Sequence, residues 1–406
     1  MQLLKVDLLE EAIEKVNKYV KEPKTEILKL ENSLGRVLSE DIISEVNVPE
    51  FNRSTVDGYA VNASDTQGAS ENMPSFLMVT GEVNMGEEAK LSIKKGEACY
   101  VPTGGMIPEG ADSMVMVEYC EDFTTDQIAV YQAVAEGKSI VKKGDDIRKG
   151  DIALKRGRII KPQDIGLLSS IGAMNVKCFI PWKLYIISTG DEIIDPNLNP
   201  RLGEVRDINT YGLVASAKNA GFNVVGQCVV KDDKNRLREE IRHGKELADF
   251  VIISGGSSQG KKDATEKLIE EESTTGVLTH GIAVKPGKPT ILGYDEDTMT
   301  ALVGLPGHPV AAMLLFKFIV EGLFKKVTNQ GGNFEPKIIG TMTTNIAASP
   351  GRKTFQLVNI DEDNNITPIL GKSGLIRTMS EANGYIVLDV NSEGINKGDK
   401  AVCYLI

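Results

Sequence analysis

Four glycine-bearing turns and a set of lysines and acids are the residues of this chain whose types and spacing suit chemistry on an anion. Ser254-Gly255-Gly256-Ser257-Ser258 combines glycines that allow close backbone approach with the hydroxyl and N–H groups that suit phosphate. It carries neither a Walker nor a Rossmann glycine fingerprint, so an ordinary strand-to-helix turn is the competing reading. Lys285-Pro-Gly-Lys288-Pro sets two cations around a rigid turn, able to neutralise phosphate or an oxyanion, or simply to cover a surface. In Ser188-Thr-Gly-Asp191-Glu192 the two carboxylates offer the hard oxygens that Mg2+ takes together with ligand phosphates. Solvated helix-cap acids would look the same. Asp263 reads as the N-cap of a helix, and Gly304-Leu-Pro306-Gly-His-Pro309 opens another helix with proline at its first position, where the N-terminus could face an anion. Asp57-Gly58 and Thr103-Gly104-Gly105 read by themselves as turns.

The elements that must position these residues follow from periodicity. Between 183 and 327, apolar runs at 184–187, 224–230, 250–253, 290–292 and 300–303 alternate with helical patterns at 210–220, 235–248, 263–272 and 309–327. That alternation predicts a parallel, three-layer α/β sheet, with ligands bound outside the carboxyl ends of its strands. The turns at 188–192, 254–258 and 304–309 then share one edge. Asp7 followed by Glu10 predicts a helix start, with Leu9, Ile13, Val16 and Val20 on its apolar face. Short apolar runs broken by turns predict a β-rich unit near 45–136. The stretch 137–178, with a helix at 162–171, groups with the N-terminal helix. Beyond Gly331-Gly332, runs at 355–360, 385–390 and 401–405 predict a small β-barrel or sandwich.

Composition excludes several classes. The 406 residues carry 46 Lys+Arg against 57 Asp+Glu, a net charge of −11, so no general nucleic-acid footprint exists and an anionic ligand needs a local basic site. Five dispersed cysteines without a CxxC, and three histidines, argue against a zinc site and for reduced thiols in a cytoplasmic protein. No apolar stretch is long enough for a signal peptide or a membrane span. No GxSxG elbow accompanies the histidines, which disfavours serine nucleophilic catalysis.

In register, these motifs resemble the molybdopterin molybdenumtransferases of molybdenum cofactor biosynthesis, relatives of the E domain of gephyrin. The likeness rests on Pro49 through Val61 with Asp57-Gly58-Tyr59, Pro102-Thr103-Gly104, Ser188 to Glu192, Asp207-Ile-Asn209-Thr, Ser254 to Asp263, Lys285 to Pro289, Gly304 to Pro309 and Gly351-Arg352. The resemblance implies a discontinuous elongated domain (1–45 with 137–178), a β-rich domain (46–136), a three-layer α/β molybdopterin-binding domain (179–329) and a C-terminal β-barrel (332–406). It implies a Mg2+-dependent reaction of adenylylated molybdopterin with molybdate, giving molybdenum cofactor and AMP. The Asp57 loop would reach the site from the other subunit of a homodimer, and a molybdopterin adenylyltransferase would be a partner. By the same resemblance Asp57, Thr103, Glu192 and Asp263 are the catalytic candidates, with Asp57 and Glu192 as metal ligands. Ser254, Gly255, Gly256, Ser257, Lys285, Lys288, Pro306, Pro309, Arg352 and Ser373 are the substrate-binding candidates. Two departures alter local charge: Lys261-Lys262 replaces small or acidic residues, and His308 stands where Asn is common.

Two rival readings compete. A molybdopterin adenylyltransferase would need only the α/β domain, and a noncatalytic oxyanion-binding scaffold would keep the shape without the acids at work.

Overall fold

In the structure, a computed structural model, residues 6–255, 262–332 and 335–406 are described, without the side chains of Lys262 and Asp263. The predicted α/β unit is built on a six-stranded sheet in the order Asn223–Val230, Lys183–Thr189, Phe250–Gly255, Thr300–Leu305, Ile291–Asp295, Val277–His280. Successive strand residues point to opposite faces. Leu184, Ile186, Phe250 and Ile252 therefore pack with Leu213 and the 310–324 helical region on one side. Tyr185, Ile187, Val251 and Ile253 pack with Leu237, Ile241, Leu268 and Ile269 on the other. Both faces are covered, which makes three layers.

The expectation of a wholly parallel sheet needs correction. The first four strands are parallel, but Ile291–Asp295 and Val277–His280 run antiparallel at one edge. Only residues 296–299 link Ile291–Asp295 to Thr300–Leu305, too few for the crossover that parallel neighbours need. Two helix readings also change. The first helix is Leu9–Asn17, and Glu11 rather than Glu10 closes its start by accepting from Leu8 N at 2.9 Å. Asp7 instead accepts from Lys15 Nζ at 2.6 Å and Thr279 Oγ1 at 2.8 Å, tying the chain start to the α/β sheet. The predicted 309–327 helix is Pro309–Leu315 and Gly322–Val327, joined by a π-helical stretch, Phe316–Glu321.

Outside the α/β unit, Thr25–Lys29 pairs antiparallel with Asn175–Phe179, and Ile42–Ile43 with Ile152–Leu154, around a core of Leu30, Leu38, Ile160 and Leu168. The β-rich unit is a six-stranded sheet in which Gly58–Val61 lies between Ser113–Met116 and Glu97–Val101. At the C-terminus, Lys353–Ile360, Asn365–Pro368, Lys337–Met342, Lys400–Leu405 and Gly384–Leu388 pair in turn, and the last pairs back to the first. That closure is the expected barrel. Val284–Lys285 adds in parallel to the barrel strand at Lys353 and Thr354, and so carries the Lys285 turn onto the barrel.

Candidate active site

The carboxyl edge of the parallel strands is stitched by buried polar groups. Asn209 Nδ2 donates to Ser254 Oγ at 2.9 Å and to Gly307 O at 2.8 Å, while Ser254 Oγ donates to Pro306 O at 3.3 Å. Thr210 Oγ1 donates to Ser188 Oγ at 2.7 Å. The predicted convergence of three turns is thus observed, with Asn209 and Thr210 as the residues that join them. Gly255 has φ +124°, and a Cβ there would lie 2.0 Å from Thr189 O, so a side chain does not fit between these strands.

The Ser188 turn does not lead directly into a helix. It enters Ile193–Ile194, which pairs with Val205–Arg206 before the helix begins at Asn209, so Asp191 and Glu192 are not helix caps. Glu192 is exposed, and its carboxylate folds over Gly190, where an added Cβ would come within 2.7 Å of Oε2. Asp232 was not singled out from the sequence. It accepts from Thr189 Oγ1 at 3.3 Å and from Asp191 N at 3.3 Å, while Asp191 Oδ1 accepts from Asp232 N at 3.0 Å. Its signal was available, because it follows the strand Asn223–Val230 at the same edge.

A second group surrounds a cavity of about 530 Å3 between the α/β unit and the barrel. Lys285 and Lys288 line it from the Pro286 turn, His308 and Val310 from the helix start, and Arg352, Lys372 and Ser373 from the barrel side. Among the described residues no aspartate or glutamate lines it, and none of its four cations has a carboxylate partner. Lys372 is the residue here that sequence reasoning missed, although it adjoins Ser373. Pro309 occupies the first helical position as predicted, but Val310 N donates to Ser373 O at 3.2 Å, so the barrel already takes up part of that helix terminus.

Asp57 and Thr103 come together in the β-rich unit, where Asp57 Oδ1 accepts from Thr103 N at 2.7 Å. Gly58 allows this turn to lie against the next strand, since a Cβ would sit 2.0 Å from Val115 O. Both Asp57 and Thr103 are exposed. Their described partners belong to the β-rich unit, those of Glu192 to the α/β unit. Gly256, Ser257 and the Asp263 side chain lie outside the described residues.

Among the described residues no three acids, histidines or cysteines converge as a ready-made metal cage. The oxygen donors of Glu192, Asp191 and Asp232 at the strand edge instead suit Mg2+ of the kind that takes one or two carboxylates and completes its shell with substrate phosphate. The thiols are not candidates. All five cysteines are free, and burial pushes Cys99 and Cys178 up to about 11 and Cys120 and Cys228 up to about 12.

A layered α/β sheet with a cationic cavity against a closed barrel defines a multidomain α/β and β protein whose charge is locally suited to an anion. Comparison with known proteins makes this particular. Residues 8–172 match the model of the MoeA N-terminal region (domains I and II), 185–326 that of the probable molybdopterin binding domain, and 340–406 that of the MoeA C-terminal region (domain IV). The molybdopterin molybdenumtransferase of Haemophilus influenzae is 31% identical over 381 residues, covering 92% of this chain and 92% of the relative. That of Bacillus subtilis is 29% identical over 408 residues, covering 98% and 94%. The crystal structure of a molybdopterin biosynthesis MoeA protein from Pyrococcus horikoshii superposes with TM-score 0.86 at 30% identity, over 99% of this chain and 100% of that one. The chain belongs to the molybdopterin molybdenumtransferase (MoeA) family, a family of enzymes of molybdenum cofactor biosynthesis.

Proposed function

We propose that the protein inserts molybdenum from molybdate into adenylylated molybdopterin, releasing AMP to give molybdenum cofactor. The observation that carries this reading is the cavity lined by Lys285, Lys288, Arg352 and Lys372 with no acid among its described lining residues, in a chain of net charge −11. Four cations around one space, with no carboxylate partner among the described residues, attract a dianion such as molybdate. Ser373 supplies a hydroxyl for one of its oxygens. The turns held by Ser254, Asn209 and Pro306 cradle the phosphates of the nucleotide, with Pro309 beginning the helix behind them, and Gly255, Gly256 and Ser257 are the substrate-binding residues of the same turn by residue type. When AMP leaves, charge develops on phosphate oxygens, and preorganised cations and backbone N–H groups stabilise it.

In this reading Glu192 and Asp57 would hold Mg2+, with Asp191 beside Glu192 offering a further oxygen, and the ion would supply charge neutralisation at the phosphates. Thr103 N fixes the Asp57 carboxylate, and a homodimer delivers that acid to the Glu192 edge of the partner subunit. Asp263 completes the acidic set. The α/β unit at 179–329 then forms the floor of the site, with the β-rich 46–136 and barrel 332–406 units as its walls and 1–45 with 137–178 as the connector. The reaction belongs in the cytoplasm, beside the adenylyltransferase that supplies its substrate.

The test is molybdate-dependent AMP release from adenylylated molybdopterin with Mg2+. Asp57→Ala and Glu192→Ala should each abolish it. Unfolded and refolded as an equal mixture, the two inactive variants should regain about a quarter of native activity, because half the dimers are mixed and each has one intact site. Absence of release by the native protein, or consumption of ATP with free molybdopterin, overturns the reading.

A further inference from the structure

Among the described residues that line the cationic cavity there is one imidazole, that of His308. Its Nδ1 lies 2.8 Å from Ser373 Oγ, so a hydrogen bond crosses from the start of the Pro309–Leu315 helix to the barrel side of the cavity. The Val310 N to Ser373 O bond at 3.2 Å holds the serine backbone beside it. The charged groups around this pair are Lys285 and Lys288 on the turn, and Arg352 and Lys372 on the barrel side. The packed helix Ile376–Glu381 adds Arg377 and Glu381, which pair with each other at 2.6 Å.

A serine hydroxyl has one proton to give. In the neutral tautomer with its hydrogen on Nε2, Nδ1 is a bare lone pair, so Ser373 donates its proton to His308 and turns only lone pairs toward the cavity, which oppose an oxyanion. In the imidazolium both ring nitrogens carry hydrogen, so His308 donates from Nδ1 to Ser373 Oγ, and the serine proton is free for a bound oxygen. The second state also places a fifth positive group in the wall, which a dianion stabilises.

We propose that His308 is a positioning residue that couples proton uptake to oxyanion binding by setting the direction of the Ser373 hydroxyl. The proposal rests on reading this cavity as the molybdate site. A proton from solvent adds to the imidazole, Ser373 rotates its own proton to the oxyanion, and both return when the oxyanion leaves. An asparagine at this position donates to Ser373 Oγ through its amide at every pH, so the histidine makes binding pH-dependent where an amide would not.

The test is calorimetric titration of inorganic molybdate into the full-length protein from pH 6.5 to 8.5, in two buffers of different ionisation enthalpy. The native protein should bind roughly tenfold more weakly at pH 8.5 than at 6.5, with fractional proton uptake on binding. His308→Asn should bind with an affinity independent of pH over this range and without proton uptake. Ser373→Ala should bind more weakly at pH 6.5 and show a smaller pH dependence than the native protein, because the imidazolium charge remains while the hydroxyl that turns with it is gone. Native-like pH dependence in His308→Asn, or none in the native protein, overturns the coupling while leaving the molybdate site intact. Failure of the native protein to bind molybdate at any pH overturns both.

Discussion

Ser254→Ala and Asn209→Ala probe the stitching of the sheet edge. Ser254 is fully buried and Asn209 is 8% exposed, so neither replacement lets water satisfy the partners freely. Ser254→Ala leaves Pro306 O and one hydrogen of Asn209 Nδ2 without their partners at 3.3 and 2.9 Å. At roughly 1–1.5 kcal/mol for each lost bond with a stranded buried group, the cost is about 2–3 kcal/mol. Asn209→Ala strands Gly307 O and removes the bond that Ser254 Oγ accepts, two lost bonds again, and costs about the same. Because the two residues share one bond, the double variant should cost about 1 kcal/mol less than the sum.

The single tryptophan makes the assay specific. Trp182 is 4% exposed, with its ring centroid 4.6 Å from that of Phe250 and 4.9 Å from that of Phe324, so its fluorescence follows the α/β unit. With a urea slope of about 2 kcal/mol/M, each single variant should lower the midpoint by about 1–1.5 M. Strict additivity in the double variant, or single shifts under about 0.3 M, would refute the argument that these bonds hold the three turns together.

Three further expectations follow from the same geometry. Lys285→Ala and Lys288→Ala should each weaken molybdate binding about tenfold, and added salt should shrink the difference; salt-independent binding in titration calorimetry would contradict the electrostatic account. Gly255→Ala should cost about 3 kcal/mol or more by Trp182 fluorescence, since it adds a 2.0 Å clash with Thr189 O to a φ of +124°, whereas Gly221→Ala, at φ +81° with nothing near its Cβ, should cost only about 1–2 kcal/mol. Equal costs would discount the clash. Burial would raise the Asp295 carboxyl, but the Thr298 hydrogen bond and the Lys245 ion pair at 3.1 Å outweigh it and hold the pKa below 3.8. A lowered folded-state pKa means this stability is present at neutral pH and lost as pH falls through the acid range below about 4. Urea midpoints should drop less between pH 6 and 3 in Asp295→Asn than in the native protein, and an identical drop would remove this pair from the account.

Much of the fold is legible along the chain because local periodicity records burial. The runs at 184–187, 250–253 and 301–303 are apolar at every position because their strands are covered on both faces, and the structure places all three in the parallel part of the sheet. Pro309 marks a helix start through its own ring. The antiparallel edge was not legible, because strand direction depends on the length of a link whose ends the apolar pattern does not locate. Asp7 misled for a related reason: a cap and a long-range ion pair use the same carboxylate, and only the packing of Leu9–Asn17 against the sheet made Lys15 and Thr279 its partners.

By itself the sequence determined the layered α/β unit, the three glycine-bearing turns at one strand edge, and the need for a local basic site in an acidic chain, since each is written in neighbouring residues. Tertiary structure alone decided where that basic site lies. Lys285 and Lys288 meet Arg352, Lys372 and His308 only because Val284–Lys285 joins the barrel strand, and charges far apart in the chain share a cavity only once the domains pack. The same holds for Asn209, whose two amide hydrogens find Ser254 and Gly307 across strands that the chain visits at widely separate points.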